Sequence, residues 1–221
     1  MPDAAAPALS ASDTTPPRRT RIVPRNAASL ILVRQSRARG VELLMGMRGS
    51  KHVFMPNVLV FPGGRVDPHD HRAPYATPLR ADTQALLERT ATPRQAYGIA
   101  LAAARELEEE TGLTLARTLG APPALDGLEY LCRAVTPPNN NRRFNARFLV
   151  AEAGHARGTL AGSGELEQLA WYTLEDVLSH RLASITREVV GNLERFLAMS
   201  PEQRRERRET PLNQRNVWRM E

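Results

Sequence analysis

The chain has 221 residues and a formal net charge of +6, with 42% hydrophobic and 5% aromatic residues. This length suits one domain with tails, and so few aromatic residues mean that Leu, Val, Ile and Ala must form most of the core. A single cysteine, Cys132, excludes an intramolecular disulfide and a cysteine-based zinc site. It is expected as a buried, inert thiol in a reduced, cytoplasmic protein. No apolar stretch is as long as a membrane span, and the arginines are scattered, so neither a membrane nor a nucleic acid is expected as a partner.

The first part of the chain predicts a tail and three strands. Residues 1–24 are rich in Ala, Pro, Ser and Thr, a composition that indicates a flexible N-terminal tail. Short apolar runs then predict buried strands, the last of them stopped by Pro62 and two glycines. These strands are expected at residues 27–33, 41–48 and 57–64.

A long excursion follows the third strand. Residues 65–91 contain prolines, aspartates and histidines, with one short candidate helix at 83–89. We interpret residues 71–91 as an insertion. A long loop in a small domain is usually functional, so the apolar segment at Leu86 and Leu87 is expected to pack over the site and to influence substrate choice.

The strongest helix signal begins at Thr92. This residue is a suitable N-cap, Pro93 fits the first helical position, and Gln95 completes a capping box. The helix is expected to end at Thr111, with Gly112 as its C-terminal cap.

The second half of the chain predicts three more strands and two helices. Strands are expected at residues 127–137, 142–153 and 164–173. Thr173 then caps a helix together with Asp176. A final amphipathic helix has four apolar residues on one face, namely Ile185, Val189, Leu193 and Phe196.

The proposed domain boundaries follow from these segments. The alternating charges of RRERRE at 204–209 predict a solvated C-terminal tail over residues 201–221. The domain itself is expected at 25–200. Its mixed strands and few helices suggest a sheet sandwiched between helices rather than a repeating βαβ fold.

Several glutamates stand close together in AAARELEEETGL. Residues three or four apart share a helix face, so Glu106, Glu109 and Glu110 converge, and Arg105 can bond the carboxylate of Glu109. Three such carboxylates form the oxygen-rich site that Mg²⁺ or Mn²⁺ requires. The alternative is a merely solvated acidic face. The alanines before the cluster and Gly112 after it favour the metal site.

GGRVDPHD at 63–70 and RELEEETGL at 105–113 resemble the two halves of the Nudix box, G-x5-E-x7-R-E-U-x-E-E-x-G-U, where U is a bulky aliphatic residue. Every fixed position of the second half matches: Arg105, Glu106, Leu107, Glu109, Glu110, Gly112 and Leu113. The first half departs from the pattern. Asp70 stands where the family has Glu, and 34 residues (71 to 104) separate it from Arg105 instead of seven.

This resemblance implies an α/β fold, a Nudix-type α/β/α sandwich with a mixed central sheet. It also implies hydrolysis of a nucleoside diphosphate linked to another moiety, with a small-molecule nucleotide as substrate. The metal would be held by Glu106, Glu109, Glu110 and the backbone carbonyl of Gly64, as in relatives, and Arg105 would orient a carboxylate. The resemblance leaves the choice between a monomer and a homodimer open.

Two further stretches, KHVFMPNVLVFPGGRVD and TPPNNNRRFNARFLVAE, together with the interrupted box, are similar to the peroxisomal coenzyme A diphosphatase branch. This similarity implies coenzyme A or an acyl-CoA as the substrate. Hydrolysis of ADP-ribose or a nucleotide sugar is the alternative reaction. A non-catalytic Nudix-fold module that binds a nucleotide is the alternative from a different class, although such a module need not retain all three glutamates.

The general base is expected at Glu165, because Gly162 and Gly164 give its loop freedom to close. The alternatives are that Glu165 is a surface residue or that a box glutamate is the base. Three arginines are candidates for contacts with substrate phosphates, although each alone is more often a surface cation: Arg48, Arg143 and Arg147. The sequence around His52, His69 and His71 lacks a zinc-ligand pattern, and Trp171 is expected in the core rather than under a base.

Overall fold

The computed structural model describes residues 22–49 and 57–221. Most of the predicted N-terminal tail, as well as Lys51 and His52, lies outside these residues. The strands are β1 (Arg25–Ser36), β2 (Gly40–Arg48), β3 (Leu59–Val60), β4 (Gly63–Arg65), β5 (Leu113–Thr114), β6 (Glu129–Val135), β7 (Phe144–Glu152), β8 (Arg157–Gly158), β9 (Leu166–Thr173), β10 (Pro211–Gln214) and β11 (Val217–Met220). The helices are α1 (Ala81–Glu88), α2 (Pro93–Thr111), α3 (Leu174–Ser179), α4 (Ser184–Leu197) and α5 (Pro201–Glu206), with a 3-10 helix at Ala153–His155.

Nine of these strands form one mixed sheet in the order β11-β10-β6-β7-β1-β2-β3, with β4 paired to β1 and β9 paired to β2. The β1–β7 and β6–β10 pairs are parallel, and the other pairs of this sheet are antiparallel. The predicted mixed sheet is therefore confirmed. None of the helices in the described ranges is long and apolar enough to cross a membrane.

Helices cover both faces of the sheet, and β1 shows why. Leu30 and Leu32 face a core shared with α1 and α2, whereas Ile31 and Val33 face a second core shared with α3 and α4. A strand buried on both faces is a continuous apolar run rather than an alternating one. The predicted α/β/α sandwich is confirmed.

Helix α2 has the predicted bounds and caps. The Thr92 hydroxyl accepts from the Gln95 amide, and the Gln95 side chain accepts from the Thr92 amide. Gly112 ends the helix with a φ of 71°, a left-handed conformation that favours glycine. This glycine also allows a close approach, because a Cβ there would lie 2.8 Å from the carbonyl oxygen of Thr159.

The prediction of one strand over residues 57–64 is wrong, because two short strands are present instead. The glycine pair does not stop a strand but forms β4, which pairs with β1. The lack of a side chain explains this position, since a Cβ on Gly63 would lie 2.5 Å from the carbonyl oxygen of Ala28. The glycines therefore bring the backbone close to β1 and hold it beside α2.

The prediction that the segment at Leu86 and Leu87 packs over the site is also wrong. These residues lie in α1 and are buried in the core between α2 and the sheet. The hydroxyl of Thr83 donates to the carbonyl of Leu128 at 2.9 Å and fixes α1 against the start of β6. The helical part of the insertion is thus a component of the core, because its two leucines bury apolar surface there.

Residues 201–221, predicted as a solvated tail, are structured. They form α5 and a hairpin whose first strand, β10, extends the sheet in parallel with β6. Arg215 and Asn216 have positive φ values of 57° and 61°, the conformation of a tight hairpin turn. Leu212 is buried against the sheet. The charged run at 204–209 obscured this apolar and turn signal, so the sheet domain extends beyond residue 200.

Candidate active site

The glycine strand and the acidic helix are in direct contact. The amide of Gly63 donates to Oε2 of Glu110 at 2.8 Å. A Cβ on Gly64 would lie 2.2 Å from Oε1 of Glu106, so no side chain fits at this position without displacing that carboxylate. The backbone of β4 therefore forms one wall of a site whose other wall is the Glu106–Glu110 face of α2.

Arg105 joins the two halves of the sequence pattern. Its Nε and Nη2 atoms donate to the two carboxylate oxygens of Asp70 at 2.9 and 3.1 Å. Nη1 donates to Glu106 at 2.9 Å and to Glu109 at 3.0 Å, which confirms the predicted Arg105–Glu109 bond. Nη2 also donates to the carbonyl of Arg65 at 3.0 Å. A bidentate pair of this kind is strong and directional, so Arg105 orients three carboxylates at once.

Asp70 is the site residue whose role the sequence left undecided. Its side chain is 1% exposed, and one of its oxygens also accepts from the amide of Asp67 at 2.8 Å. Although 34 residues separate Asp70 from Arg105 in the chain, the fold closes this gap into an ion pair. The signal that could have shown this is the position of Asp70, where the box has its first glutamate.

Burial controls the charge of the carboxylates. The pKa of Glu110 is raised to about 7, mainly by desolvation and also by the charges of Glu106 and Glu165, against the lowering effects of the Gly63 amide and Arg48. Desolvation also raises the pKa of Glu106, against the opposing charge of Arg105. Perturbed carboxylates of this kind are typical of functional sites, and a bound cation would favour their ionised forms.

Glu165 and Arg48 lie near this cluster. The charge of Glu165 raises the pKa values of both Glu106 and Glu110, and Arg48 lowers that of Glu110. The sheet explains their proximity, because Arg48 pairs across β2 and β9 with Leu166, the residue after Glu165. The structure thus places two of the predicted residues within electrostatic reach of the box glutamates.

Comparisons with known proteins agree with this geometry. The model of the NUDIX domain family matches residues 94–193. This part of the chain is similar to that domain. The second half of the Nudix box and the helix that carries it lie inside the matched range. Among curated proteins, none matches the chain.

Solved structures of NUDIX proteins have the same fold. A NUDIX hydrolase from Alicyclobacillus acidocaldarius is 24% identical, with a TM-score of 0.60, over 76% of this chain and 90% of its own. A MutT NUDIX hydrolase from Burkholderia pseudomallei is 23% identical over 78% and 99% of the two chains, with a TM-score of 0.50. The NUDIX domain of Shewanella oneidensis NrtR, complexed with ADP ribose, is 16% identical over 84% and 95%, with a TM-score of 0.50.

The NUDIX match covers the part of α2 that carries the three box glutamates. Members of this family generally use divalent metal ions. The donors of this site fit such an ion, since Mg²⁺ and Mn²⁺ prefer carboxylate and carbonyl oxygens. The site offers three carboxylates, and the backbone of Gly64 lies against one of them, Glu106.

The three box glutamates direct their carboxylates to different partners rather than to one common point. Arg105 and the Gly63 amide engage one oxygen each of Glu106, Glu109 and Glu110. Within residues 22–49 and 57–221, no three acidic, histidine or cysteine side chains are close enough to hold a metal ion as they stand. The Glu109 side chain is 59% exposed, so it has room to rotate toward an ion.

Two predicted substrate contacts do not reach the surface of this site. Arg147 is 1% exposed, and its guanidinium donates to Asn26 at 2.8 Å and to Thr90 at 3.2 Å. Arg143 is 7% exposed and donates to the carbonyl of Thr136 at 3.1 Å. Such burial leaves no surface for direct contact with a substrate, so the geometry corrects this prediction and gives both arginines structural roles.

The remaining candidates lie at the edges of the site. His69 approaches Asp70 with 3.3 Å between Nε2 and Oδ1, and His71 approaches the carbonyl of Arg94 at 3.3 Å. Trp171 packs against the first core, and Arg34 lies 4.4 Å above its ring. The expected core role of Trp171 is confirmed. Cys132 is buried, and burial raises the pKa of its thiol, as expected for an inert cysteine.

Proposed function

We propose that this protein is a metal-dependent hydrolase that cleaves the diphosphate of a nucleoside-diphosphate-linked compound, with coenzyme A or an acyl-CoA as its substrate. The observation that carries the proposal is the contact of the glycine strand with Glu106 and Glu110 of α2. Arg105 lies beside this contact and bonds Asp70, Glu106 and Glu109.

In this proposal Glu106, Glu109, Glu110 and the carbonyl of Gly64 hold Mg²⁺ or Mn²⁺. A divalent cation supplies positive charge to the oxygens of the diphosphate and acidifies water. A phosphoanhydride is already activated, so charge neutralisation and positioning account for most of the catalysis it needs. Arg105 acts through the carboxylates that it bonds and is therefore a positioning residue.

We assign the general base to Glu165. Its carboxylate takes a proton from the attacking water, whose oxygen bonds to one phosphorus while the bridging oxygen leaves with the electrons of the broken bond. One support is that the negative charge of Glu165 raises the pKa values of Glu106 and Glu110. The other is Gly164, whose φ of 92° allows a sharp turn beside Glu165. Arg48, whose charge reaches Glu110, is suited to contact a phosphate oxygen of the substrate.

Two observations bear on the substrate. The split box, with Asp70 completing it from a distance, and the segment TPPNNNRRFNARF resemble the coenzyme A diphosphatase branch and favour coenzyme A. The NUDIX domain of Shewanella oneidensis NrtR is complexed with ADP ribose, which makes ADP-ribose or a nucleotide sugar the second candidate.

A product assay decides between these candidates. Coenzyme A, an acyl-CoA, ADP-ribose, NADH and dinucleoside polyphosphates are incubated with Mg²⁺ or Mn²⁺, and the products are separated. Coenzyme A should yield 4′-phosphopantetheine and adenosine 3′,5′-bisphosphate. Hydrolysis of ADP-ribose to AMP and ribose 5-phosphate, with coenzyme A untouched, would transfer the assignment to the second candidate.

The metal requirement has a matched pair of variants. Glu109→Gln removes a predicted ligand, and we expect a loss of about a hundredfold or more in rate. Glu108→Gln removes the same charge from the neighbouring exposed position, which is not fixed in the box, and should retain activity. Full turnover by Glu109→Gln in the presence of a chelator would refute metal-dependent catalysis.

A further inference from the structure

A cleft of about 940 Å³ lies between the turn that follows β4 and the first turn of α2. Its lining combines four basic and two polar side chains with Pro68 and Ala73, and none of the described residues that line it is acidic. The basic side chains are His69, His71, Arg72 and Arg94, with Thr92 and Gln95 beside them. A cleft with this lining favours an anionic ligand.

The two arginines of the cleft are not neutralised by the protein. Within the described residues, the Arg72 and Arg94 side chains are exposed and have no ion pair. By contrast, Arg105, which is eleven residues after Arg94 in α2, bonds three carboxylates. Guanidinium groups match the geometry of phosphate oxygens and bind them with two hydrogen bonds. Arg72 and Arg94 therefore provide binding capacity that the fold itself does not use.

The walls of the cleft are held in place by contacts that are independent of any ligand. The turn is closed by the Asp67 amide, which donates to Asp70, and Asp70 is anchored to Arg105. The His71 ring lies against α2, where a Cβ on Gly98 would come within 2.2 Å of its Nδ1 atom. A preformed wall lowers the entropy cost of ordering side chains when a ligand binds.

The cleft borders Asp70, because His69 lines the cleft and its Nε2 atom lies 3.3 Å from Oδ1 of Asp70. Asp70 stands between His69 and His71, and its carboxylate shares Arg105 with Glu106 and Glu109. The Asp70–Arg105 pair therefore links the wall of the cleft to the box glutamates. We propose that this cleft binds a phosphate monoester of the hydrolase substrate, a group separate from the diphosphate that is cleaved. This proposal rests on the proposed hydrolase function.

A binding experiment tests the subsite without turnover. Adenosine 3′,5′-bisphosphate and AMP differ by one phosphate monoester, and their affinities for the full chain are measured by isothermal titration calorimetry. We expect the bisphosphate to bind about tenfold more tightly, the scale of one charge-assisted contact. The double variant Arg72→Gln/Arg94→Gln should lose this preference. Equal binding of both nucleotides by the unchanged protein, or a preference that survives in the double variant, would overturn the proposal.

The control removes equal charge elsewhere. Arg187→Gln/Arg208→Gln replaces two exposed arginines outside the cleft lining, so a preference due only to net charge would fall in this variant as well. A fall of equal size in both double variants would overturn the subsite. We expect the control to retain the roughly tenfold preference.

Kinetics separate this proposal from the proposed function. With coenzyme A and dephospho-coenzyme A as substrates, the Arg72→Gln/Arg94→Gln variant should bring the ratio of their KM values close to one, from about ten in the unchanged protein. If neither compound is cleaved, the assignment to coenzyme A fails. The preference between the bisphosphate and AMP still decides whether the cleft is a phosphate subsite.

Discussion

Glu110 should make the folded state less stable as the pH rises, and Glu110→Gln should remove this effect. The pKa of Glu110 is raised by burial from 4.5 to about 7. Between these two pH values the folded protein holds a proton that the unfolded chain releases. The free energy of unfolding therefore falls as the pH rises through this interval, and the loss is complete above about pH 7.

The size of the effect follows from the shift. Each pKa unit corresponds to about 1.4 kcal/mol, so the change from 4.5 to about 7 lowers the free energy of unfolding by about 3 kcal/mol. Little of this is lost to solvent screening, because Glu110 is only 7% exposed. The glutamine of Glu110→Gln retains an oxygen that can accept from the Gly63 amide but cannot ionise.

The assay is urea-induced unfolding between about pH 4 and 8.5 in the presence of a chelator. The stability difference between Glu110→Gln and the unchanged protein should grow by about 3 kcal/mol in favour of the variant as the pH rises. Glu108→Gln, on the exposed face of α2, controls for the loss of a charge on this helix. A difference that stays constant over the whole pH range would refute the assignment of the raised pKa to Glu110. Added Mg²⁺ should stabilise the unchanged protein more at about pH 8 than at about pH 5, because the ion binds the ionised carboxylate.

Three other predictions concern the base, the glycine strand and the insertion. Glu165→Gln should lower the rate by roughly a hundredfold or more without weakening Mg²⁺ binding measured by calorimetry; normal turnover would exclude Glu165 as the base. Gly64→Ala should weaken Mg²⁺ binding, because the new methyl group would occupy the space of the Glu106 carboxylate, 2.2 Å away; unaltered affinity would show that β4 does not form the metal wall. Leu87→Ala should lower the free energy of unfolding by about 2–5 kcal/mol, since Leu87 is fully buried. A loss below about 1 kcal/mol would contradict the burial of α1 in the core.

Local signals in the sequence determined much of the fold. The apolar runs predicted β1, β2, β6 and β7, because a strand buried on both faces needs apolar residues at successive positions. Thr92, Gln95 and Gly112 predicted both ends of α2, since caps satisfy the backbone groups at a helix end with atoms close by in the chain. The spacing of Glu106, Glu109 and Glu110 placed them on one helix face, because residues three or four apart are neighbours on a helix.

The tertiary structure decided the features that depend on distant partners. Asp70 and Arg105 meet only because β4 packs against α2, and residues 71–104 between them contribute α1 to the core. The charged segment at 204–209 precedes a hairpin that joins the sheet, because β6 offers an edge to which β10 can bond. Arg147 looks like a surface cation in the sequence but lies beneath the surface, bonded to Asn26 and Thr90. In each case the stabilising partner lies far along the chain, so no local pattern of residue types could predict the contact.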